Sequence, residues 1–534
     1  MITKEFKNDN IKKVCIPTAG IGSRLGNYTT KINKSLIDID NKAIISYIIE
    51  KFPNKTQFII PLGFKGTLVK QYLELAYPKI KFTFVKVKNF KGRGSGLGHS
   101  ILCAKKYLNE PFIFISCDTL VNTKIPLQKK NWVGYSDFGN SKKYRGINIK
   151  NGNVNFFLEK NFNKNRNNKI YIGIAGIKDY ENFWKSMEID KKQSVPQGEV
   201  FGLNNLKKKI KALKFSWFDV GNTDDYIKLK KKVKSKKNIL EKDGEKIWFA
   251  NNKVIKYFEN KSLISKRVQR AKILKNFVPK IIDYKKNMYS YKIVKGKIFS
   301  EIESTKIFSD LLSHINFFHS KAPPKKKAKY NKICKNFYKK KTIMRIADFE
   351  KKFKIKDNSI SLNKVKTKKI RDLLKLIDWK KLTKGKYSNF HGDLHFENIL
   401  YSKIKKKFTF LDWRQDFGGN LKYGDIYYDL SKLMHGLIVS HNSIQKNLYS
   451  INWSKRNISF SIFIPKKYKK YLSIYKKWII HNKYDYKKII ILTALIYLNI
   501  ASLHHYPYSL FLFALGKKIL TDILIYEKED ILLN

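Results

Sequence analysis

Short apolar runs that end on an acidic or turn-forming residue recur through the first half of the chain. Residues 14–17 read Val-Cys-Ile-Pro and lead into a glycine-rich turn, and the run at 112–117 closes on Asp118. A third run, Trp217-Phe218, closes on Asp219. Brief apolar segments bounded by turn residues are typical of strands buried in a sheet. The pattern therefore predicts an α/β domain that carries acidic side chains at the ends of its strands.

The second half begins with a different pattern. Residues 246–258 favour a β-hairpin that turns at Asn251-Asn252, with Lys256 on its second strand. Helical periodicity runs from 308 to 318, and an apolar run at 408–411 closes on Asp412. The longest apolar stretch, residues 489–503, is short for a membrane span and predicts a buried helix.

A cation-rich segment without apolar periodicity, residues 230–237, separates the two patterns. A chain of 534 residues is too long for one ordinary core. We therefore place a linker in this segment. The resulting prediction is an N-terminal domain at 1–235 and a C-terminal domain at 236–534.

The composition excludes a protein that is disordered throughout, and the net charge bears on the partners that the protein could bind. Apolar residues make up 43% of the chain, which is ample for globular packing. The net charge is +69, from 111 basic and 42 acidic residues, and such a field attracts polyanions. The lysines are scattered and no nucleic-acid recognition motif is present, so we favour compositional drift over a selected polyanion partner.

Cysteine usage and the first residues bear on the compartment. The chain has 4 cysteines without a C-x-x-C pair, which indicates reduced thiols. Residues 1–10 are polar and lack the apolar core of a signal peptide. The expectation is a cytoplasmic protein with no membrane span and no specific nucleic-acid partner.

The glycine turn in the first half suits phosphate binding. It reads Gly20-Ile-Gly22-Ser-Arg24, with Lys34 ten residues after the arginine. A dinucleotide fingerprint would need a third glycine where Leu25 stands, and no P-loop sequence occurs. What remains is a backbone that can approach phosphates and two cations that can bind their oxygens. A second glycine loop, residues 91–99, makes Gly96 a further candidate for contact with a nucleotide.

Together these segments resemble the sugar-phosphate nucleotidyltransferases, the pyrophosphorylase-like branch of the glycosyltransferase-A-type fold. The resemblance covers roughly residues 11–230 and rests on the Gly-x-Gly-x-Arg loop, the following lysine and a W-x-D-x-G-x-x-x-D-Y pattern at 217–226. It implies a Rossmann-like mixed sheet. By the resemblance, Asp118 and Asp219 hold Mg²⁺, and a Glu159-Lys160 pair on a strand binds the acceptor.

The chemistry that this resemblance implies is nucleotidyl transfer. A phosphomonoester oxygen attacks the α-phosphate of a nucleoside triphosphate and pyrophosphate is released. Arg24 and Lys34 would stabilise the charge of the transferring group. One departure is Asn33, which stands where the family usually has proline and predicts a less rigid loop.

In the second half, residues 391–400 read His-Gly-Asp-Leu-His-Phe-Glu-Asn-Ile-Leu and are followed by the strand that ends on Asp412. This spacing fits phosphoryl transfer, with Asp393 as the base that accepts a hydroxyl proton and Asn398 and Asp412 as ligands of Mg²⁺. The pattern resembles the aminoglycoside phosphotransferase and choline kinase group over about residues 240–520. That resemblance implies a two-lobed, protein-kinase-like α+β domain in which Lys256 binds the ATP phosphates and Asp429 braces the catalytic loop.

Two departures from the kinase pattern bear on nucleotide and substrate. Gln269 lies near the position at which the family has the glutamate that pairs with its lysine, which predicts a weaker nucleotide clamp. Arg414 stands where choline kinases usually carry an acid, which argues against a quaternary amine as substrate. His391 is expected to have a structural role, and His395 a role at the surface or towards substrate.

The leading hypothesis is a bifunctional enzyme. The C-terminal domain would phosphorylate a sugar or small alcohol with ATP, and the N-terminal domain would couple that phosphate to a nucleotide, with CTP slightly preferred. The product would serve as a precursor for a surface polysaccharide or a lipid headgroup. One alternative is a nucleotidyltransferase with a kinase-like domain that only binds. The other is a basic protein that binds nucleic acid or a membrane surface through its charge.

Overall fold

The computed structural model describes residues 12–206, 209–233, 244–320, 327–454 and 457–530. The domain boundary predicted at residue 235 and the polar segment 1–10 lie outside these ranges. The chain separates into two compact units, Met1–Ile264 with Ile282–Ile293, and Ser265–Ile281 with Val294–Asn534. The lysines at 230, 231 and 232, which belong to the predicted linker at 230–237, instead form the last turn of a helix. Their positive charges are favourable there, because the C-terminal end of a helix is negative.

The strands of the first unit follow one another at short intervals. In chain order they are β1 (Lys13–Cys15), β2 (Asp38–Ile39), β3 (Lys42–Ala43), β4 (Gln57–Leu62), β5 (Lys81–Lys86), β6 (Phe112–Ile115), β7 (Thr119–Val121), β8 (Trp132–Ser136), β9 (Gly146–Lys150), β10 (Asn153–Leu158), β11 (Asn168–Ile177), β12 (Lys211–Lys214), β13 (Trp217–Asp219), β14 (Glu245–Ala250), β15 (Lys253–Phe258), β16 (Ile281–Tyr284) and β17 (Met288–Lys292).

Among the residues that the structure describes, nine of these strands pair as one mixed sheet in the order β5-β4-β1-β6-β11-β8-β12-β10-β9. Strands β1, β4, β5 and β6 are parallel, and β11 runs antiparallel to β6. Val14 and Cys15 belong to different apolar clusters, because neighbouring strand residues point to opposite faces. The sheet is therefore covered on both sides, as the α/β prediction requires.

The hairpin predicted at 246–258 is present and belongs to the first unit. Strands β14 and β15 pair in register through a turn at Asn251 and Asn252, which both have positive φ (47° and 57°), as the favoured hairpin turns demand. The indole of Trp248 is buried and donates a hydrogen bond to the Leu36 carbonyl at 3.0 Å. The sheet β14-β15-β17-β16 thus shares the core of the first unit.

The helices of the first unit connect these strands. They are α1 (Ile44–Ile49), α2 (Gly66–Ala76), α3 (Leu97–Ala104), α4 (Tyr180–Ile189), α5 (Lys191–Gln197), α6 (Glu199–Asn204) and α7 (Thr223–Lys232), with short 3₁₀ segments at Ser23–Thr29, Lys34–Leu36 and Lys105–Tyr107. Helix α8 (Ser262–Leu274) begins in the first unit and continues into the second.

The second unit is mostly helical with short strands. Its helices are α9 (Thr305–Phe318), α10 (Lys327–Lys335), α11 (Lys341–Phe353), α12 (Ile370–Leu376), α13 (Trp379–Leu382), α14 (Ile426–Ile438), α15 (His441–Gln445), α16 (Lys466–His481), α17 (Tyr486–Ala501) and α18 (Tyr508–Leu524). Shorter helical segments are Lys275–Phe277, Phe299–Glu301, Asn336–Lys340 and Phe396–Asn398. Its strands are β18 (Lys297–Ile298), β19 (Ser361–Leu362), β20 (Val365–Lys366), β21 (Tyr387–Ser388), β22 (Ile399–Ser402), β23 (Lys407–Phe410), β24 (Gly424–Asp425), β25 (Tyr449–Trp453) and β26 (Asn457–Ile462).

The buried helix predicted at 489–503 is confirmed as α17, whose side chains are buried almost throughout. It packs against α14 and α18 and forms the core of the second unit. None of the helices in the described ranges combines the length and the apolarity that crossing a bilayer requires.

Candidate active sites

The acidic residues at the ends of two strands of the first unit converge on one point. Strand β13 pairs antiparallel with β7, which sets Asp219 opposite Thr119, directly after Asp118. A Cβ added at Gly221 would lie 2.8 Å from Asp118 Oδ2 and 3.2 Å from Asp219 Oδ1. Only glycine leaves this space open, so the fold brings the two predicted metal ligands to a shared position.

Asp219 is held by neighbouring polar groups. The Tyr144 hydroxyl donates to Asp219 Oδ2 at 2.6 Å, and the Asn222 amide donates to the same oxygen at 2.9 Å. Burial, followed by the charge of Asp118, raises the pKa of Asp219 to about 6. Two carboxylates this close repel one another, so a cation between them would relieve the strain on both.

Lys34 supplies a positive charge next to this pair. Its Nζ lies 3.0 Å from Asp118 Oδ2. Burial alone would lower the pKa of Lys34, but the Asp118 carboxylate outweighs burial and raises that pKa above its ordinary value. Burial also opposes ionisation of Asp118, and the charges of Lys34 and Arg24 nevertheless hold its pKa below the usual range. The lysine and the carboxylate are thus both charged.

The loop before Lys34 is more rigid than the sequence predicts. Asn33 is fully buried, and its amide donates to the carbonyls of Thr18 (2.9 Å) and Phe64 (2.6 Å). Its side-chain Oδ1 accepts a hydrogen bond from the Ser35 backbone N–H at 2.9 Å and caps the following 3₁₀ turn. The prediction that asparagine in place of proline loosens this loop is therefore wrong, because three hydrogen bonds fix it.

The glycine turn lies against the lysine. Gly22 has φ of 73°, and a Cβ there would meet Lys34 Cβ at 3.0 Å. Gly20 is exposed and borders open space. Arg24 is exposed on the 3₁₀ segment, with its carbonyl accepting a hydrogen bond from the Thr223 hydroxyl at 3.1 Å. The turn therefore presents backbone and one arginine beside the charged pair.

The second glycine loop packs against a helix, and the proposed acceptor pair follows a strand. A Cβ at Gly96 would come within 2.3 Å of the Val195 carbonyl, so this glycine permits α3 to approach α5 closely. Glu159 and Lys160 do not lie on a strand as predicted, since β10 ends at Leu158. Both are exposed, and Glu159 pairs with Arg145 at 3.1 Å.

One buried acid in the first unit has no signal in the sequence. Glu199 opens α6 and is 3% exposed, and it accepts a hydrogen bond from the Tyr171 hydroxyl at 2.9 Å. Burial raises the pKa of Glu199 to about 7. A single glutamate at the start of a short helix looks like an ordinary surface residue, so periodicity gives no reason to select it.

In the second unit the loop that carries Asp393 is tied to a buried acid. Both Asp429 oxygens accept backbone N–H groups, those of His391 and Gly392, each at 2.6 Å. Asp429 is fully buried in the first turn of α14. The Asn398 amide donates to the Asp393 carbonyl at 2.9 Å. The loop therefore has a fixed conformation, and Asp429 has the bracing position that the kinase resemblance implies.

The proposed metal ligands of this unit lie at one end of a hairpin. Asn398 directly precedes β22 and Asp412 follows β23, and these strands pair with Ile399 opposite Phe410. The Leu411 backbone donates to the Asn398 carbonyl at 2.7 Å. Asp412 has φ of 59°, a left-handed conformation that side chains seldom adopt without cause.

Helix α8 presents arginines to this site in place of a glutamate. The Arg267 guanidinium lies 3.1 Å from Asp412 Oδ1. Arg270 is fully buried and donates to the Arg414 and Leu421 carbonyls at 3.1 and 3.0 Å. Gln269 is exposed, so it does not occupy the buried face on which a partner for a lysine would be expected.

The other predicted residues are a lysine of the first unit and two histidines of the second. Lys256 is buried on β15, within the first unit. His391 is fully buried, and burial lowers its pKa to about 4, so its Nδ1 can accept from the Asp393 backbone at 3.3 Å. Despite partial burial, Asp393 and Glu397 raise the pKa of His395 to about 9. His395 is thus a cation beside the proposed base.

The donor set of the first unit fits Mg²⁺. Asp118 and Asp219 aim oxygens at one point, and within the described ranges no group of three histidine, cysteine or acidic side chains is suited to hold a metal by itself. A cation bound there would complete its shell with water and substrate oxygens, as Mg²⁺ usually does. At the second place Asp412 already pairs with Arg267 at 3.1 Å, so a metal held by Asn398 and Asp412 would have to displace the arginine.

Comparisons with known proteins agree with the first half of this description. No family model matches the chain. Over 222 residues it is 28% identical to bifunctional protein GlmU of Methanococcus vannielii, covering 39% of this chain and 52% of the relative. Over 156 residues it is 28% identical to a UTP–glucose-1-phosphate uridylyltransferase of Staphylococcus epidermidis. This match covers 24% of this chain and 53% of the relative. The chain spans about half the length of the curated relatives it matches.

Solved structures align with a similar share of the chain. UDP-glucose pyrophosphorylase complexed with UDP-glucose has 23% identity over 42% of this chain and 98% of that one, with a TM-score of 0.35. The CTP:phosphocholine cytidylyltransferase of Streptococcus pneumoniae has 16% identity over 42% of this chain and 99% of its own, also with a TM-score of 0.35. The N-terminal part of the chain is thus similar in sequence to bifunctional GlmU proteins and to a UTP–glucose-1-phosphate uridylyltransferase.

Proposed function

We propose that the first unit transfers a nucleotidyl group from a nucleoside triphosphate to a phosphomonoester. A phosphate oxygen of the acceptor attacks the α-phosphorus, the bond from that phosphorus to the bridging oxygen of the β-phosphate breaks, and pyrophosphate leaves. The observation that carries the proposal is the convergence of Asp118 and Asp219 over Gly221, with Lys34 at 3.0 Å from Asp118.

Each residue of this site has a proposed task in that reaction. Asp118 and Asp219 would hold Mg²⁺, which supplies Lewis acidity and charge neutralisation at the phosphates when it is bound. Lys34, which Asn33 holds in place, balances the negative charge that develops at the α-phosphate. Arg24 extends from the exposed turn to meet the outer phosphates.

Further contacts of the nucleotide and acceptor remain predictions. Gly20 and Gly22 would bring backbone N–H groups to the phosphates, and Gly96 would lie near the base. Glu159 and Lys160, on the exposed segment after β10, would contact the acceptor. CTP stays the slightly preferred triphosphate for a small phospho-alcohol, while UTP or GTP would suit a sugar phosphate.

We further propose that the second unit makes the phosphomonoester. Asp393 would accept the proton of an attacking hydroxyl, the hydroxyl oxygen would bond to the γ-phosphorus of ATP, and ADP would leave. Asn398 and Asp412 would hold Mg²⁺ at the nucleotide phosphates. The contact of Lys256 with the ATP phosphates stays a prediction of the kinase resemblance, because this lysine belongs to the first unit. Asp429 supports this step by fixing the loop that carries Asp393.

A fusion of the two steps has a chemical reason, because the product of phosphorylation is the acceptor class of nucleotidyl transfer. A second candidate is favoured by the ion pair between Arg267 and Asp412. An arginine on a proposed metal ligand competes with the metal for that carboxylate. In this version the second unit binds a ligand without phosphorylating it, and only the first unit is catalytic.

The experiment incubates the full chain with ATP, CTP, UTP or GTP and panels of hydroxyl compounds and phosphomonoesters, and follows ADP and pyrophosphate separately. The proposal predicts pyrophosphate release with a phosphomonoester that Asp118→Asn abolishes, and ADP release with a hydroxyl compound that Asp393→Asn abolishes. Pyrophosphate release from an unphosphorylated acceptor that Asp393→Asn leaves unchanged would favour the binding-only version. Nucleic-acid or vesicle binding with a steep salt dependence, unchanged in both variants and without turnover, would favour a simple basic binding protein.

A further inference from the structure

We call four basic side chains of the second unit the cationic cluster: Lys341, Arg345, Arg414 and Lys432. The last three act electrostatically on Lys341, and Lys432 contacts the proposed base. Lys432 is 8% exposed, and its Nζ lies 3.0 Å from Asp393 Oδ1. We propose that the cationic cluster binds a carboxylate or phosphate group carried by the hydroxyl substrate of the second unit. This inference rests on the proposed phosphorylation step and names the class of its substrate.

The centre of the cluster is an aromatic ring between two cations. Lys341 Nζ lies 4.6 Å from the centroid of the Phe337 ring, and the Arg414 guanidinium carbon lies 5.0 Å from it. Phe337 is 8% exposed, so both cations rest on a largely buried surface. An aromatic face stabilises a cation only modestly and leaves its hydrogen-bond donors available.

Two cations of the cluster pair with an acid, Lys432 with Asp393 at 3.0 Å and Arg345 with Asp348 at 3.5 Å, and the other two do not among the described residues. Arg414 Nε is buried, and it has no hydrogen-bond acceptor in the part of the chain that the structure describes. For Lys341, the described residues include no carboxylate in an ion pair with its ammonium. A buried donor that lacks an acceptor is costly, so such groups usually mark a place that another molecule completes.

The charges of the cluster act on Lys341 in one direction. Burial, and then the charges of Arg414, Lys432 and Arg345, lower the pKa of Lys341 to about 7. Asp393 acts in the opposite direction but does not offset them. A bound anion would relieve this repulsion, whereas an amine would add to it.

The two carboxylate oxygens of Asp393 face different neighbours, one in the cationic cluster and the other at the proposed metal site. Oδ1 faces Lys432 of the cluster, at 3.0 Å. Oδ2 faces Asn398, the proposed metal ligand, whose Nδ2 is 3.4 Å away, and it also faces His395 at 3.6 Å. A hydroxyl that delivers its proton to Oδ1 would therefore belong to a molecule whose remaining groups lie among the cations.

Arg414 is fixed close to the base by its backbone. Its N–H donates to the His391 carbonyl at 2.9 Å, and its Cβ would be 2.6 Å from a Cβ added at Gly392. The Arg414 carbonyl also accepts from buried Arg270. Arg414 and Asp393 thus belong to one hydrogen-bonded loop assembly. A substrate whose hydroxyl reaches Asp393 and whose anionic group reaches Arg414 would therefore carry these two groups close together.

The test compares matched compounds that differ only in an anionic group. Glycerol, glycerate and glycerol 3-phosphate form one series, and glucose, glucuronate and glucose 6-phosphate form another. Thermal unfolding of the full chain at constant ionic strength measures binding, and ADP release measures turnover. Comparison within each series separates a carboxylate from a phosphate as the preferred anion. We expect anionic members to stabilise the protein and to exceed the neutral member at least tenfold in kcat/KM.

Variants locate the effect. Lys341→Met should lower the affinity for the anionic compounds about tenfold while the KM for ATP stays the same, and Lys341→Arg should restore much of it. Lys340→Met removes the same charge from the neighbouring exposed position and should change neither quantity. Anionic compounds that bind no better than neutral ones, or that bind Lys341→Met as well as the wild type, would overturn the inference. Anion binding that depends on Lys341 without ADP release would instead sink the phosphorylation step alone.

Discussion

The substitution Lys34→Met tests the charge arrangement in the first unit most sharply. Methionine keeps the length of the side chain and removes its charge. Lys34 Nζ lies 3.0 Å from Asp118 Oδ2, and the two side chains are 20% and 16% exposed. At an effective dielectric constant of about 20, opposite charges at this distance attract by roughly 5 kcal/mol.

Most of that attraction is offset by the desolvation of both groups. Breaking a fully buried pair from one side costs about 3–5 kcal/mol. Because water reaches part of this pair, we expect a smaller loss, about 2 kcal/mol, from leaving Asp118 beside Asp219 without its cation. For a unit of this size the melting temperature should fall by roughly 5 °C.

The same change should affect metal binding and turnover in opposite ways. Mg²⁺ should stabilise Lys34→Met more than the wild type, since the metal then supplies the positive charge beside Asp118 and Asp219 that Lys34 no longer provides. The rate of pyrophosphate release should drop about 10²- to 10³-fold, the usual effect of removing one group that stabilises developing charge. Thermal unfolding with and without Mg²⁺, together with a pyrophosphate assay, measures both effects.

The control is Lys55→Met, which removes an equal charge from an exposed position. It should leave the melting temperature, the response to Mg²⁺ and the rate as they are in the wild type. The reasoning would be refuted if Lys34→Met behaved like this control in both assays, because the lysine would then contribute neither to the charge balance of Asp118 nor to the reaction.

Three further changes are expected to have measurable effects. Asn33→Ala should destabilise the first unit by about 2–4 kcal/mol in urea denaturation, because two buried carbonyls lose their donor and a 3₁₀ turn loses its cap. Glu199→Gln should remove a pH dependence of the free energy of unfolding. Because the pKa of Glu199 is raised to about 7, its protonated form stabilises the fold by about 3 kcal/mol below about pH 4.5, and this contribution is lost as the pH rises through about 7. The variant keeps the acceptor for Tyr171 and should be the more stable protein at pH 8. Asp429→Asn should destabilise the second unit by about 3 kcal/mol and abolish ADP release, since an amide cannot accept both backbone N–H groups, of which one belongs to His391.

Each of these has a contrary result. Unchanged urea midpoints for Asn33→Ala would show that the loop is fixed without the amide. Equal pH profiles of stability for Glu199→Gln and the wild type would show that Glu199 titrates normally. Full phosphorylation activity in Asp429→Asn would show that Asp393 does not need the brace.

Local features of the fold could be predicted because neighbouring residues determine them. The strand that precedes Asp118 and the hairpin at Asn251-Asn252 follow from apolar periodicity and from residues that tolerate positive φ. The buried helix α17 follows from an apolar run that is too short for a bilayer. The same reasoning selected Asp118 and Asp219, and the fold brings them together over Gly221.

Features that depend on distant partners could not be predicted. Asn33 looked like a loosening of the loop, since nothing near it in sequence indicates the carbonyls of Thr18 and Phe64 that it binds. Gln269 lies near the position of the family's glutamate, but its side chain is exposed, and Arg267, two residues earlier, pairs with Asp412. A shift of two residues along a helix changes its inward face, and only tertiary packing decides it.

The most direct test of the central claim is pyrophosphate release by the full chain supplied with Mg²⁺, each nucleoside triphosphate and a panel of phosphomonoesters. The claim predicts release that requires both the triphosphate and one acceptor, and that falls to the background level in Asp118→Asn and in Asp219→Asn. Release that persists in both variants, or the absence of release with every pair in a broad panel, would contradict the assignment of Asp118, Asp219 and Lys34 to nucleotidyl transfer.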